Sequence, residues 1–276
     1  MRNAFQTIWR GLKELVRSSF SRRLLDYDIH SGPLRGCKIH TSLHDYPGAI
    51  LGTTERSLLD WFAQNVERGE TWLDIGGNYG YTAIALSRLV GAEGRVFAFE
   101  PVIGTAGCLA RTRELNRLDQ LTVVPLALIA DPELQSMEIP VTRGMADSTL
   151  IDTTSCETSA CERIFGIALD SIWASIAHLD TSVHGVKIDV QGMEFQVLRG
   201  MREQLTHWNP KLVIEFHRGV DRLEILDLLV SCGYSPNFER VGDAPANILA
   251  DDVSYAFVPE AQSCVYSSTR STTARS

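Results

Sequence analysis

The chain has no long apolar run. None of its 276 residues belongs to a stretch of about 18 consecutive apolar residues, the length that a membrane-spanning helix requires. The N-terminal region also lacks the unbroken apolar core and the small-residue cleavage site of a signal peptide. We therefore expect a cytoplasmic protein.

Paired cysteines are missing as well. The six cysteines contain no CxxC pair and no spacing typical of zinc ligands: Cys37, Cys108, Cys156, Cys161, Cys232 and Cys264. Cys156 and Cys161 lie near each other in a Ser/Thr-rich stretch, but no histidine accompanies them. Reduced thiols are therefore expected rather than a disulfide framework or a cysteine-bound metal.

Positive charge is scarce over most of the chain. The formal net charge is −8, from 26 Lys and Arg against 34 Asp and Glu. Binding to nucleic acid relies on a basic face that contacts phosphates, so this charge balance argues against a nucleic-acid partner.

Residues 1–25 differ from the rest in charge and form a candidate basic amphipathic helix. Apolar side chains recur at helical spacing over residues 5–20: Phe5, Ile8, Trp9, Leu12, Leu15, Val16 and Phe20. Basic residues occupy the remaining positions, opposed only by Glu14. Such a helix could lie on an anionic membrane surface, or pack against this chain or a second subunit. Packing against protein is the favoured alternative.

The main part of the chain alternates between short apolar runs and amphipathic stretches. After strands and turns over residues 26–54, a helix is predicted from residue 55, capped by Thr53 or Thr54. Strands are predicted at 71–75, 95–99, 121–125, 185–190 and 211–216, with helices at 81–90, 105–118, 193–205 and 221–232. Continuous apolar strands are typical of parallel sheets that are buried on both faces. The pattern predicts an α/β doubly wound sheet over residues 55–260, mostly parallel, with a terminal antiparallel strand pair at 237–241 and 253–258.

Two segments depart from this alternation. Residues 133–168 contain a proline, a glycine and a polar run, and are interpreted as a long irregular excursion that binds the acceptor. An unordered surface insertion is the alternative. Residues 261–276 are rich in Ser, Thr and Arg, and a disordered tail is expected there.

A glycine-rich turn joins the first core strand to its helix. Residues 74–80 read DIGGNYG, and glycines at such a turn allow a ligand to approach the backbone. Glu100 follows the next strand about 20 residues later, where a carboxylate suits the hydroxyls of an adenosine ribose. The glycine spacing is GxxxG rather than the GxGxxG that binds dinucleotides.

Four motifs in order resemble the FkbM family of methyltransferases. They are DIGGNYG at 74–80, RVFAFEP at 95–101, VKIDVQGME at 186–194 with VLRGM at 197–201, and PKLVIE at 210–215. The resemblance runs from about residue 55 to residue 235. It implies a class I methyltransferase fold, with S-adenosyl-L-methionine as the methyl donor.

The resemblance also assigns roles to residues of the glycine-rich turn. It places Gly76, Asn78 and Gly80 beside the donor, Glu100 on its ribose, and Asp74 near its amino-acid end. The sequence departs from the family at Gln191, where a glutamate is usual. A neutral amide can form hydrogen bonds but cannot act as a base.

Polar residues at the ends of two later strands are the catalytic candidates. Asp189 ends one strand, and Glu215 and His217 end the next, so a doubly wound sheet would bring the three to one edge. His217 is the best base by its ordinary pKa, with Asp189 second. A divalent metal on the three is the less favoured alternative, and no metal is assigned. Asp189 could instead only cap the next helix.

The resemblance implies an S-adenosyl-L-methionine-dependent methyltransferase. The expected reaction is O-methylation of a hydroxyl on a sugar, a glycan precursor or a secondary metabolite, so the expected partner is a small-molecule or carbohydrate acceptor. Two alternatives remain open: a nicotinamide-dependent oxidoreductase of the same broad fold, and a homologue that binds the cofactor without turnover.

Overall fold

A computed structural model describes residues 20–138, 149–151, 161–178, 181–242 and 249–259. The predicted N-terminal helix, apart from Phe20, and the predicted tail at 261–276 lie outside these residues. Among the residues described, no helix combines the length and the apolar character needed to cross a membrane. Cys37, Cys108 and Cys232 are free thiols in the interior.

The N-terminal region contains two strands and two helices. Strands β1 (Leu25–Asp28) and β2 (Lys38–Thr41) pair antiparallel, followed by helices α1 (Pro47–Leu51) and α2 (Arg56–Asn65). The prediction of strands and turns alone over residues 26–54 was wrong for α1, which begins with a proline in its first turn, where the missing N–H costs nothing. The cap of α2 is Glu55 in the left-handed region (φ 54°), and not Thr53 or Thr54.

A seven-stranded sheet forms the centre of the molecule. Its strands lie in the order β12-β13-β11-β10-β3-β4-β5. They are β3 (Thr71–Ile75), β4 (Arg95–Phe99), β5 (Leu121–Val124), β10 (Gly185–Ile188), β11 (Lys211–Phe216), β12 (Glu239–Arg240) and β13 (Val253–Phe257). The five strands from β11 to β5 are parallel, and β13 is antiparallel to both of its neighbours. The predicted doubly wound sheet with a terminal antiparallel pair is therefore confirmed.

Helices flank the sheet. They are α3 (Tyr81–Val90), α4 (Ile103–Asn116), α5 (Leu169–Ile176), α6 (Glu194–Gly200), α7 (Arg202–Trp208) and α8 (Arg222–Ser231). The single helix predicted over 193–205 was wrong, because α6 and α7 are separated at Met201 (φ −125°). A side chain at Gly200 would overlap the carbonyl group of Ile129, so the end of α6 packs directly on backbone.

Alternate residues of each strand enter two separate cores. Trp72 and Val96 belong to one apolar cluster, whereas Leu73 and Phe97 belong to the other on the opposite face. Burying a large apolar side chain contributes about 1.5–3 kcal/mol, and both faces contribute here. This two-sided burial explains why the parallel strands are continuous apolar runs.

A second, four-stranded sheet occupies the region after β5. Its order is β6-β9-β7-β8, with β6 (Ala127–Leu128), β7 (Glu133–Glu138), β8 (Thr149–Ile151) and β9 (Cys161–Ile167). The described parts of 133–168 are therefore mostly strand rather than irregular chain, whereas residues 139–148 and 152–160 of the predicted acceptor loop lie outside the described residues. Along β9, Ile164 is buried and Phe165 is 47% exposed, so this strand has one solvated face and no continuous apolar run in the sequence.

Candidate active site

The strand register brings the predicted site residues to one edge of the sheet. Ile75 of β3 lies beside Ile188 of β10, and Ile188 lies beside Ile214 of β11. The residues that follow these three positions are Gly76, Asp189 and Glu215, so they lie at the same level. The strand order runs outward in opposite directions from β3 and β10, and ligands of open α/β sheets bind at this kind of switch point.

The glycine-rich turn at 74–80 is shaped for close contact with its surroundings. Gly76 (φ 82°) and Gly80 (φ 92°) adopt left-handed conformations, as does Asn78 (φ 46°). A side chain at Gly76 would overlap the backbone carbonyl oxygen of Asp189. Only glycine therefore fits at this position, where the turn after β3 meets the end of β10.

Glu100 follows β4 and is tied to the same turn. Its carboxylate accepts hydrogen bonds from the backbone N–H of Asn78 (3.0 Å) and of Val102 (3.1 Å). Glu100 is 7% exposed, and this burial raises its pKa to about 7. The sequence placed Glu100 near the turn, and the structure brings the two together.

Lys187 connects the glycine-rich turn with the end of β10. Its Nζ lies 3.2 Å from Asp74 Oδ1 and 3.4 Å from Asp189 Oδ2, and donates to the carbonyl oxygen of Gly76 at 3.0 Å. Burial acts to lower the pKa of Lys187, but Asp74 and Asp189 outweigh it and hold the pKa above its usual value. Lys187 therefore stays charged and fixes both carboxylates.

Asp74 is enclosed by its partners. It is 0% exposed, and its Oδ2 accepts a hydrogen bond from the Thr82 hydroxyl at 2.7 Å. Lys187 lies beside the other carboxylate oxygen, so both oxygens of Asp74 face protein groups in the interior. Its influence on a bound ligand would pass through the turn and through Lys187.

The three predicted catalytic residues form one group, which we call the acceptor cluster: Asp189, Glu215 and His217. Their ligand atoms all lie within 4.8 Å of one another. His217 Nε2 is 3.5 Å from Asp189 Oδ1 and 3.7 Å from Glu215 Oε1. Burial, reinforced by the negative charge of Asp189, raises the pKa of Glu215 to about 7.

Glu194 orients the imidazole of the acceptor cluster. Its Oε1 lies 2.7 Å from His217 Nδ1 and accepts a hydrogen bond from the Gly192 N–H at 3.0 Å. Burial acts to lower the pKa of His217, but the bond to Glu194 outweighs it and the pKa is raised. On the other side of the ring, the Gln191 amide lies 3.0 Å from Nε2.

An open groove lies between segments that follow Asp189 and His217 in the chain. It has a volume of about 480 Å³ and lies between the start of α6 and the loop after β11. Its lining includes Met193 and Phe195, Gly219 and Val220 of the loop after β11, and Ile129. Gly219 follows His217 by two residues in the chain, but Asp189, Glu215 and His217 themselves are not among the residues that line the groove.

A family model for the methyltransferase FkbM domain matches residues 74–236, from the glycine-rich turn to beyond α8. The chain belongs to the FkbM methyltransferase family. The resemblance carried by the four motifs is therefore confirmed, and the match favours a methyltransferase over a nicotinamide-dependent oxidoreductase.

Known proteins similar to this FkbM family member are distant. The hexuronic acid methyltransferase AglP of Haloferax volcanii is 28% identical over 187 residues, which cover 68% of this chain and 72% of AglP. The crystal structure of the methyltransferase FkbM from Methylobacillus flagellatus KT aligns with a TM-score of 0.47 at 18% identity, over 74% of this chain. The aligned region spans about half (51%) of that longer protein. A SAM-dependent O-methyltransferase from Thermotoga maritima aligns at a TM-score of 0.42 and 14% identity, over 73% of this chain and 63% of that one.

Sequence reasoning missed two residues of this FkbM site. Capping of the following helix was an alternative role for Glu194 as it was for Asp189, but α6 is capped by Met193 without a side-chain hydrogen bond, and Glu194 holds His217 instead. The same observation removes the capping alternative for Asp189. Glu55 directly precedes α2. Burial raises the pKa of Glu55, and the negative charge of Asp189 raises it further. No motif marks Glu55, because only the fold brings it near the sheet edge.

Proposed function

We propose that this FkbM family member transfers a methyl group from S-adenosyl-L-methionine to a hydroxyl group. The observation that carries the proposal is the direct junction of two sites at Gly76 and Asp189, whose backbones touch. A donor on the turn at 74–80 and a hydroxyl at the acceptor cluster would thus meet over this junction. Methyl transfer is an in-line displacement, which depends on such positioning of its two reactants.

On the donor side, each predicted residue has a role that its surroundings support. The backbones of Gly76, Asn78 and Gly80 would line the donor, and Glu100 would accept hydrogen bonds from the ribose hydroxyls. Asp74 would act indirectly by fixing Lys187, whose charge also holds the carbonyl oxygen of Gly76.

On the acceptor side, the hydroxyl must become a better nucleophile. Asp189, Glu215 and His217 are the residues that we assign to this step. They could act as a general base or as ligands of a metal ion, and these two modes differ in their dependence on divalent cations. The open groove along Met193 and Phe195 would bind the rest of the acceptor, together with the region 133–168.

The acceptor is proposed to be a carbohydrate. The relative AglP is named for a hexuronic acid, and the groove combines aromatic and polar groups that suit a sugar ring. Incubation with labelled S-adenosyl-L-methionine and a panel of uronic acids, neutral sugars and natural-product alcohols would identify the class. Methylation of protein or nucleic acid alone would contradict the carbohydrate assignment.

Binding of the donor product is the direct test of the proposed cofactor. At a concentration 100 times its dissociation constant, S-adenosylhomocysteine should stabilise the protein by about 2.7 kcal/mol. A thermal unfolding series should show this as a rise in Tm, with no rise for NAD. A Tm unchanged by S-adenosylhomocysteine, or raised by NAD alone, would refute the proposal.

The affinity for S-adenosylhomocysteine should increase as the pH rises through about 7. The pKa of Glu100 is raised from 4.5 to about 7 in the folded chain. Between these two pH values the folded chain keeps a proton that the unfolded chain has lost, so the contribution of Glu100 to stability decreases as the pH rises from 4.5 to about 7. Ribose hydroxyls donate to the ionised form, and the affinity should change by up to about tenfold between one unit below and one unit above this pKa. Calorimetric titration with S-adenosylhomocysteine across this pH range measures the change in affinity.

The matched control for this pH dependence is Glu100→Gln. The amide does not titrate, so this variant should bind S-adenosylhomocysteine more weakly and with a flatter pH profile. An equally steep profile in Glu100→Gln would assign the titration to another group.

A further inference from the structure

We propose that the acceptor cluster binds one divalent cation, which coordinates the oxygen of the acceptor hydroxyl. This inference rests on the proposed function and specifies how Asp189, Glu215 and His217 would carry out their step. Two carboxylates and one imidazole are a ligand set that suits magnesium, manganese or zinc.

The distances within the cluster fit a common metal ion. Separations of 3.5 and 3.7 Å from His217 Nε2 to the two carboxylate oxygens are too long for hydrogen bonds, and all three atoms lie within 4.8 Å. The point equidistant from the corners of such a triangle is at most about 2.4 Å from each of them, close to the lengths of metal–ligand bonds. An ion at this point would therefore contact all three ligands with little movement.

Among the residues described, three interior carboxylate oxygens lack a hydrogen-bond donor. One is Oδ1 of Asp74, which has Lys187 Nζ at 3.2 Å, and the other two belong to residues that contact His217. These two are Oδ1 of Asp189, which faces His217, and Oε2 of Glu194, whose side chain is 0% exposed. Buried carboxylate oxygens without a donor are costly. A cation at the cluster would offset the missing donor of Asp189 directly. It would offset that of Glu194 indirectly, through the imidazole that Glu194 contacts.

The charges that face the cluster are mostly negative. Asp189, Glu215 and Glu194 contact His217, and Glu55 adds a fourth carboxylate whose charge is felt at Asp189. The nearby cation Lys187 is shared with Asp74. The described part of the site thus has more negative than positive groups, as expected where a cation binds.

The hydrogen bond between Glu194 and His217 has the form seen behind histidine ligands of metals. When the Nδ1 proton is donated to a carboxylate, the lone pair of Nε2 is directed at the metal. The Gln191 amide occupies the space next to Nε2, and it would have to rotate. After rotation its oxygen could face the cation, since the two ends of an amide are similar in shape.

With this cation in place, the acceptor hydroxyl would lose its proton before its oxygen attacks the methyl group. Coordination lowers the pKa of the bound hydroxyl, which releases its proton to water. The oxygen then forms a bond to the methyl carbon while the carbon–sulfur bond breaks. The electron pair of that bond returns to sulfur, and S-adenosylhomocysteine leaves as a neutral thioether. In this mode His217 is a ligand and not the base.

Binding of Mn²⁺ to the chelator-treated full chain tests the inference without donor or acceptor. Electron paramagnetic resonance should detect one bound ion per chain in the wild type. Asp189→Asn, Glu215→Gln and His217→Gln should each weaken binding at least about tenfold. Matched controls are Asp28→Asn, Glu114→Gln and His40→Gln, whose side chains pair with Lys38, Arg111 and Asp26 and not with the cluster, and these should bind Mn²⁺ like the wild type.

The Glu194→Gln variant separates a ligand site from a general attraction of cations to acidic protein. Glu194 does not touch the ion, yet loss of its charge should weaken Mn²⁺ binding by about 10–100-fold because the imidazole loses its orientation. Circular dichroism would show that the variant remains folded. Wild-type protein that binds no Mn²⁺, or binds it no better than Asp189→Asn and Glu215→Gln, overturns the inference.

The outcomes for the cation and for the proposed function can be told apart. S-adenosylhomocysteine should raise the Tm of the chelator-treated protein, because the donor residues are not ligands. If this rise occurs and Mn²⁺ does not bind, the methyltransferase proposal stands and the cation inference fails. If Mn²⁺ binds and no rise occurs, the reverse holds.

Discussion

Replacing Lys187 with methionine is expected to lower the free energy of unfolding by about 3–5 kcal/mol. The change leaves Asp74 as an uncompensated carboxylate in the interior, where it is 0% exposed. Asp189 loses the same partner, although it is more open to water, with a side chain 26% exposed. Urea denaturation followed by tryptophan fluorescence measures the difference, because Trp72 lies in the same strand as Asp74.

Two further variants test the cause of this loss. Lys38→Met removes a pair that is 46% and 61% exposed, so it should cost no more than about 1 kcal/mol. The double variant Asp74→Asn/Lys187→Met should regain part of the stability, since it removes the buried negative charge. A single Lys187→Met variant that is no less stable than Lys38→Met would show that the buried pair contributes little.

Replacing Asp189 with asparagine should reduce methyl transfer about 10²–10⁴-fold, the range for removing a group that activates a nucleophile. Asparagine keeps the size of the side chain but is uncharged, so it can neither accept a proton from the hydroxyl nor bind a cation as a carboxylate does. The Asp189 carboxylate lies 3.5 Å from His217 Nε2, so the whole acceptor cluster should be affected. Turnover is measured with the acceptor that the wild type methylates.

Donor binding distinguishes a catalytic effect from a general one. S-adenosylhomocysteine should bind Asp189→Asn within a few-fold of the wild type, because the turn at 74–80 is unchanged. Adding His217→Gln should cost little more than Asp189→Asn alone, since residues that act as a unit are not additive. Asp28→Asn, which is exposed and remote, should retain full activity. If Asp189→Asn retains turnover within tenfold of the wild type, Asp189 is not a catalytic residue.

The arrangement of the proposed donor side could be predicted from the sequence because its parts are local. The turn at 74–80 is continuous, and Glu100 lies at the end of the very next strand. Their meeting follows from the alternation of strands and helices alone. The acceptor cluster could also be predicted, because Asp189 and Glu215 lie at the ends of apolar runs that form neighbouring strands in such a sheet.

The contacts that define the cluster could not be predicted from the sequence. Whether Glu194 caps a helix or holds His217 depends on the direction of the chain after β10, which a motif does not specify. Lys187 could be placed at a strand end, but its shared contacts with Asp74 and Asp189 require the register of β3 and β10. Glu55 has a left-handed backbone without being glycine, and propensity does not anticipate this.

Sequence alone determined the doubly wound sheet and its FkbM family motifs, because two-sided burial requires apolar runs and a tight turn requires glycine. The tertiary structure decided the order of the strands and the small sheet within 127–167, whose strands have no continuous apolar signal. It also decided which carboxylate faces which partner. Such pairings join residues that are far apart in the chain, and their energies depend on burial and distance, which arise only when the sheet is assembled.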